Sequence, residues 1–330
     1  MSSDHIINLV SGINPQIWAR QVSPMLLQKY PKLIFSHEPV WADIYFFYET
    51  TKSYVIPNPS AKRIFISAEP VSLNRHSRLF LWQFDEILGS ISSIFLTYSK
   101  FRVVQPALPW HIGIDFDTNY GKVILNYKDL LEITPPKIDE VSVITSNKVL
   151  NEAQIMRIRF ITQIANLLGS KLHIYGRGFN TISDKFQVLS KYRYHIALEN
   201  NTQLDNWSEK VADPIIALNR VYYFGSLNIN DYFSDQSVLK IELNNPKETA
   251  ELIRKEISNN HWEKAFSDIL VSKGKVMNEY NLIHVITDIR PVKVIRRFNL
   301  PIFKDFACLP GRIRRKLIWE LKKMSILWHR

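Results

Sequence analysis

Hydrophobic and polar positions alternate along the chain in blocks that read as buried strands and amphipathic helices by turns. Ala42 to Tyr48 is an apolar run of strand length, followed by the turn Pro57-Asn58-Pro59-Ser60. Lys62 to Ala68 is a second run, ending on Glu69-Pro70. Pro135-Pro136 marks a linker, and Glu140 to Lys148 is a strand running into a polar turn. Next, Asn151 caps a helix with Gln154 three residues on. Its apolar stripe is Ile155, Ile158, Ile161, Ile164 and Leu168, and Gly169 stops it. Lys171 to Tyr175 is another strand, ending at Gly176-Arg177-Gly178. His195 to Leu198 and Val221 to Phe224 enclose a helix capped by Ser208, with Pro214 inside it as a predicted kink. A strand over 238–243 precedes a helix opened by Asn245-Pro246, and 247–288 is largely helical.

Strands separated by helices imply an α/β fold with parallel sheets, in which ligands sit at the carboxyl ends of the strands. The expected organisation is two Rossmann-like domains, 1–136 and 137–295, facing a central cleft. A basic amphipathic segment, 296–330, would follow as a helix returning to the first domain. The pivotal stretch is 195–225. There the strand ends on Glu199-Asn200, Ser208-Glu209-Lys210 begins a helix, and the next strand closes on Gly225. A helix N-terminus with a lysine in its first turn favours an anion, so the residues alone point to a phosphorylated small molecule.

Composition narrows the partners. The chain has 330 residues, of which 46% are hydrophobic, enough for two cores. Cys308 is the one cysteine, so no internal disulfide forms and a reducing compartment is expected. Met1 to Asn8 does not resemble a signal peptide, and no apolar run is long enough to span a bilayer. The formal charge of +11 implies anionic partners. From residue 301 onward eight Lys and Arg face only Asp305 and Glu320. That end reads either as a helix packed on the first domain or as one drawn to an anionic membrane surface. No nucleic-acid-binding motif is present, so nucleic acid is not an expected partner.

The phrases Tyr192-Arg193-Tyr194-His195-Ile196-Ala197-Leu198-Glu199-Asn200, Ser208-Glu209-Lys210 and Val221-Tyr222-Tyr223-Phe224-Gly225 stand in one order and spacing. Together they resemble the donor-binding signature of the family 10 glycosyltransferases, the α-1,3/1,4-fucosyltransferases, in their bacterial form. The resemblance covers roughly residues 60–245. It implies a GT-B-like fold, an inverting transferase, GDP-fucose as the nucleotide sugar donor and a glycan or glycolipid acceptor of the lipopolysaccharide type. It also implies a cytoplasmic location, or a peripheral one on the inner face of the cytoplasmic membrane, and no obligatory metal or other cofactor.

The same resemblance assigns roles. Glu69, which the residues alone read either as a cleft-facing strand-end acid or as an exposed loop acid, becomes the general base. Ser146, Asn147 and Arg157 correspond to the diphosphate-binding block, where the residues alone leave Arg157 and Arg159 as surface cations. Tyr175 and Arg177 belong to the Tyr-Gly-x-Gly block before the central stretch. Glu199 and Asn200 line the sugar side, Glu209 meets the ribose and Lys210 the diphosphate. Asn206 stands where the family has a donor-contacting tyrosine. Trp110 and His111 fall in the acceptor half, Trp110 for stacking on a sugar and His111 for a hydroxyl. A core tryptophan and a satisfied loop histidine are the other reading of that pair. A different sugar nucleotide, or a non-catalytic glycan-binding relative, also fits these residues.

Overall fold

The computed structural model describes residues 4–50, 52–68, 76–90, 101–105, 109–118, 121–148 and 152–288. Glu69 and the segment 296–330 lie outside them. The first lobe contains β1 (Ile7–Ser11), α1 (Pro15–Ala19), α2 (Pro24–Lys29), β2 (Leu33–Ser36), β3 (Ile44–Tyr48), β4 (Lys62–Ser67), α3 (Arg78–Trp82), β5 (Glu86–Gly89) and β6 (Phe101–Val103). The strands form one parallel sheet in the order β2-β1-β3-β4-β5-β6. Its central strand β3 is buried along its whole length, so its residues read as a continuous apolar run rather than an alternation.

A hairpin of β7 (Ile114–Asp115) and β8 (Lys122–Val123) and the helix α4 (Tyr127–Glu132) come next. The second lobe then holds β9 (Ile138–Ile144), α5 (Glu152–Leu168), β10 (Leu172–Tyr175), α6 (Phe186–Leu189), β11 (Tyr192–Leu198), α7 (Glu209–Ile216), β12 (Arg220–Phe224), β13 (Val238–Lys240), α8 (Pro246–Ser258), α9 (His261–Lys264) and α10 (Phe266–Met277). Its sheet is also parallel, in the order β10-β9-β11-β12-β13. Both faces are covered. Phe160, Ile161, Ile164 and Leu168 of α5 pack with Ala250 and Ile253 of α8 on one side. Val211, Ile215 and Ile216 of α7 pack with Val276 and Met277 of α10 on the other. Ile155, expected on the α5 stripe, is exposed. Pro214 sits in the last turn of α7, which ends two residues later, so the proline terminates the helix.

Two parallel α/β sheets with helices on both faces, meeting across a cleft, make a GT-B-like architecture. Two segments near the expected lobe boundaries make contacts with both lobes or with the other lobe. Trp110, Ile112, Tyr127 and Leu130 share one core with Ala197, Trp207 and Tyr223 of the second lobe, while Asn14 and Arg20 of the first lobe donate to Gly121 O and Leu125 O. The chain also returns earlier than residue 296. In α11 (Leu282–Thr287), Leu282, Ile283 and Ile286 pack among Leu9, Trp18, Ile44 and Ile64 of the first lobe. The Asn281 side chain caps α11 at the Ile283 amide and donates to Gln21 O at 2.7 Å, which fixes that crossing. Apolar burial holds both segments in place, and neither the proline pair nor the charge pattern reports it.

Candidate active site between the lobes

Each sheet has one point where the chain reverses its direction of travel across the strands. In the first lobe this lies between β1 and β3, and in the second between β9 and β11. Such switch points open a crevice beyond the strand ends, because the connections on either side run to opposite faces. A cavity of about 500 Å³ lies there, lined from the first lobe by Gly12, Ile13, Tyr48, Glu49 and Ala68. Pro109 and His111 line it from the connecting segment. Glu199, Asn200, Asn201, Asn206, Ser208, Glu209 and Lys210 line it from the second lobe.

The second-lobe wall is a connected polar network. Glu199, directly after β11, receives the Ser208 amide at 2.8 Å and its hydroxyl at 2.5 Å on Oε1. Lys210 Nζ lies 3.0 Å from Glu199 Oε2 and 3.9 Å from Glu209 Oε1. The Ser208 hydroxyl also caps α7 by accepting the Lys210 amide. Burial alone would lower the Lys210 ammonium. Glu199 and then Glu209 more than reverse this and hold it above the ordinary lysine value. Burial likewise pushes Glu209 up, but Lys210, Lys185 and His111 together hold it well below the usual carboxylate range. Glu209 is therefore a charged acceptor at neutral pH.

Behind this wall, Arg157 of α5 is 5% exposed and donates from Nη1 to Asn200 Oδ1. Its Nε is buried without a hydrogen-bond partner. Burial lowers the guanidinium, and Glu199 partly offsets that. Arg157 thus meets Asn200 and Lys210 meets Glu199 at the same strand end. Asp213, fully buried in α7, accepts Lys185 Nζ at 2.7 Å and the His111 amide at 3.0 Å. Its bond to the backbone holds the His111 ring at the cavity, with Nδ1 3.8 Å from Glu209 Oε1. Burial lowers the His111 imidazole, and Glu209 pulls against that.

Asn206 crosses between the lobes. Its Nδ2 donates to Ser90 Oγ at 3.0 Å while its Oδ1 accepts from Asn201 at 3.0 Å. Gln105 Nε2, donating to Trp207 O at 2.9 Å, is a second bridge. Gly225 has a packing reason: a Cβ there would lie 2.2 Å from the Tyr223 hydroxyl and 2.6 Å from Glu199 Cγ.

Of the residues singled out from sequence, His111, Glu199, Asn200, Asn206, Glu209 and Lys210 share the cavity, and Arg157 backs it. Others do not. Trp110 is 2% exposed in the core with Tyr127, and Gln21 and Arg20 hold its backbone, so its ring has no open face for a sugar. Tyr175 turns its hydroxyl to Tyr192 at 2.7 Å, at the start of β11 and away from the cleft. Ser146 and Asn147 lie beside the Gly176–Gly178 turn, where the Asn147 amide bonds to Arg177 O at 3.0 Å, and Arg177 is exposed. None of these five lines the cavity. Sequence reasoning missed Glu49, Tyr48, Gly12 and Ile13. The available signal was an apolar run ending on a polar residue, which Ile44 to Glu49 carries as plainly as Lys62 to Glu69.

Among the described residues no group of three or more His, Cys, Asp or Glu side chains converges as metal ligands would. Nor is any helix among them long and apolar enough to cross a membrane. No protein-family model and no curated protein sequence matches the chain. Several solved structures are similar in fold. An α1,3-fucosyltransferase with GDP-fucose has 14% identity and a TM-score of 0.48, over 90% of this chain and 95% of that one. The same kind of enzyme with GDP has 15% identity and a TM-score of 0.47, over 85% and 94%. WaaG, a glycosyltransferase involved in lipopolysaccharide biosynthesis, has 10% identity and a TM-score of 0.45, over 86% and 99%.

Proposed function

We propose that the chain is an inverting glycosyltransferase that moves a sugar from a nucleoside diphosphate donor, GDP-fucose on the motif resemblance, to a hydroxyl of a cell-surface glycan or glycolipid. The observation that carries this reading is the convergence of Lys210, at the capped start of α7, and Arg157 on the Glu199–Asn200 strand end beside the cavity. A departing diphosphate needs positive charge held in place before the reaction, because prearranged dipoles and charges cost no reorganisation at the transition state. Glu199 supplies that order by gripping Lys210. Glu209, held ionised, offers an acceptor to ribose hydroxyls.

The incoming hydroxyl loses its proton to a base on the opposite face while the bond to the diphosphate breaks, which inverts the anomeric centre. The resemblance gives the base role to Glu69. Leaving-group charge is met by side chains and the α7 amino end, so the reaction is proposed to run without an obligatory metal. The proposed setting is the cytoplasm or the inner face of its membrane.

Asn206 supports a second donor. The family's tyrosine is absent, and Asn206 is engaged with Ser90 and Asn201. A thermal-shift panel of nucleotide sugars, with and without chelator, tests both readings. GDP or GDP-fucose raises the melting temperature of the wild type, and Lys210→Ala abolishes the effect. A response to a uridine or thymidine diphosphate sugar instead selects the second donor. Silence across the panel removes the transferase reading.

A further inference from the structure

We propose that Lys185 is a positioning residue of the donor site: clamped by Asp213, it holds the Glu209 carboxylate in place at the cavity wall, so that Glu209 reads the ribose hydroxyls of the nucleotide. The inference rests on the donor reading above and deepens it, by naming a residue behind the cavity wall that sets which nucleotides are accepted.

The arrangement begins with spacing. Glu209 and Asp213 are four residues apart on α7, so their side chains share one face of the helix, a turn apart. Lys185, directly before α6, reaches that face from another part of the chain. Its Nζ lies 2.7 Å from Asp213 Oδ2 and 3.5 Å from Glu209 Oε1. One ammonium thus spans both acids.

The Asp213 end is the anchor. That side chain is fully buried, while those of Glu209 and Lys185 are 13% and 18% exposed. Asp213 Oδ1 accepts the His111 amide at 3.0 Å, so the carboxylate is held from both sides. The residue before Lys185 adds a second tie. Asp184 is buried, and its Oδ1 accepts the Gly113 amide at 2.8 Å and the Phe186 amide at 2.9 Å. The turn that carries Lys185 is therefore fastened to the same short segment, 111–113, that Asp213 holds.

Of the basic groups around Glu209, Lys185 stands at 3.5 Å, His111 at 3.8 Å and Lys210 at 3.9 Å, all from Oε1. Lys210 has its shorter contact with Glu199, at 3.0 Å, and is the cation that meets the diphosphate in the donor reading. Lys185 is not part of the cavity lining, so a bound nucleotide leaves its contact with Glu209 in place. That contact matters once a ligand covers the wall. A carboxylate that loses water without a cation nearby takes up a proton. Burial pushes Glu209 up, and Lys210, then Lys185, hold it down. Burial lowers Lys185 in turn, and Asp213, then Glu209, more than reverse this. An ionised acceptor bonds a hydroxyl roughly twice as strongly as a neutral one, so the charge kept on Glu209 is what separates ribose from deoxyribose.

The test uses the full chain, with GDP and its 2′,3′-dideoxy analogue titrated by calorimetry, or the corresponding pair for the nucleotide that the panel selects. The reading is the ratio of the two dissociation constants within each variant. Wild type binds GDP about 10-fold or more tightly than the analogue. Glu209→Gln brings the ratio close to one. Lys185→Met does the same, Lys185→Arg keeps most of it, and Lys185→Met added to Glu209→Gln changes it no further. Where Lys185→Met does not fold, Lys185→Met combined with Asp213→Asn, which removes both buried charges together, is read in its place. A wild-type ratio retained by the Lys185 variant overturns the assignment, whether or not both nucleotides bind more weakly, because a structural role weakens them equally. A wild type that binds both equally well also overturns it, with the donor site itself intact. A wild type that binds no nucleotide of the panel removes the donor reading and this inference with it.

Discussion

Lys210 Nζ stands 3.0 Å from Glu199 Oε2, and the side chain of Glu199 is only 3% exposed. The pair is therefore an aligned ion pair at the floor of the cavity, not a surface contact. Glu199→Gln leaves a half-buried lysine without its main counter-charge and removes the acceptor for one of its bonds. We expect a loss of about 2–3 kcal/mol, read as a lower urea midpoint at constant slope. The GDP-induced thermal shift shrinks with it, because Lys210 is no longer held in place. An unchanged midpoint would show that the pair contributes nothing.

Asp213 ties three segments together by accepting Lys185 and the amide of His111 from within α7. Asp213→Ala strands a lysine and an amide in the interior. The expected cost is about 3–5 kcal/mol in chemical denaturation. Asp213→Asn, which keeps one acceptor, costs less. Equal losses in the two variants would mean that the charge has no part in the effect.

Lys137 gives a pH signature. Its ammonium donates to Tyr192 O and Leu189 O, and burial, then the nearby Lys273, lower its pKa from 10.5 to about 7. Between these values the unfolded chain binds the proton more tightly than the native one. Stability therefore rises as pH increases from about 7 towards 10.5, and the contribution is unfavourable below 7. Lys137→Met flattens this rise in urea titrations at stepped pH. A slope equal to that of the wild type would refute the assignment.

Asn206 is 5% exposed and spans to Ser90 across the cleft. Restoring the tyrosine that the motif resemblance expects there overfills the contact. Asn206→Tyr is expected to cost about 1–3 kcal/mol and to weaken the response to GDP. Tighter GDP binding by that variant would mean that the cleft opens readily to admit the ring.

Local signals made much of the architecture legible. The runs at Ile44–Tyr48 and Lys62–Ser67, the cap Ser208 and the stop at Gly169 all report their elements, because strand burial, capping and left-handed backbone are near-neighbour effects. The Glu199–Asn200 and Ser208–Lys210 phrases located the polar wall of the cavity for the same reason: a strand end and a helix start carry their chemistry within a few residues. Trp110 misled because an aromatic beside prolines looks the same whether it faces a cleft or a core. Arg20, Gln21 and Tyr127, which hold it inside, are remote in sequence.

By itself the sequence determined most strands and helices of the second lobe, two central strands of the first and that the sheets are parallel, and it singled out second-lobe residues suited to an anion. Tertiary structure alone decided that residues 110–130 pack on the second sheet and that α11 crosses back to the first. It also decided that Glu49 and Lys210 line one cavity. Strand order fixes which strand ends become neighbours, and that order follows from burying apolar faces of segments far apart along the chain.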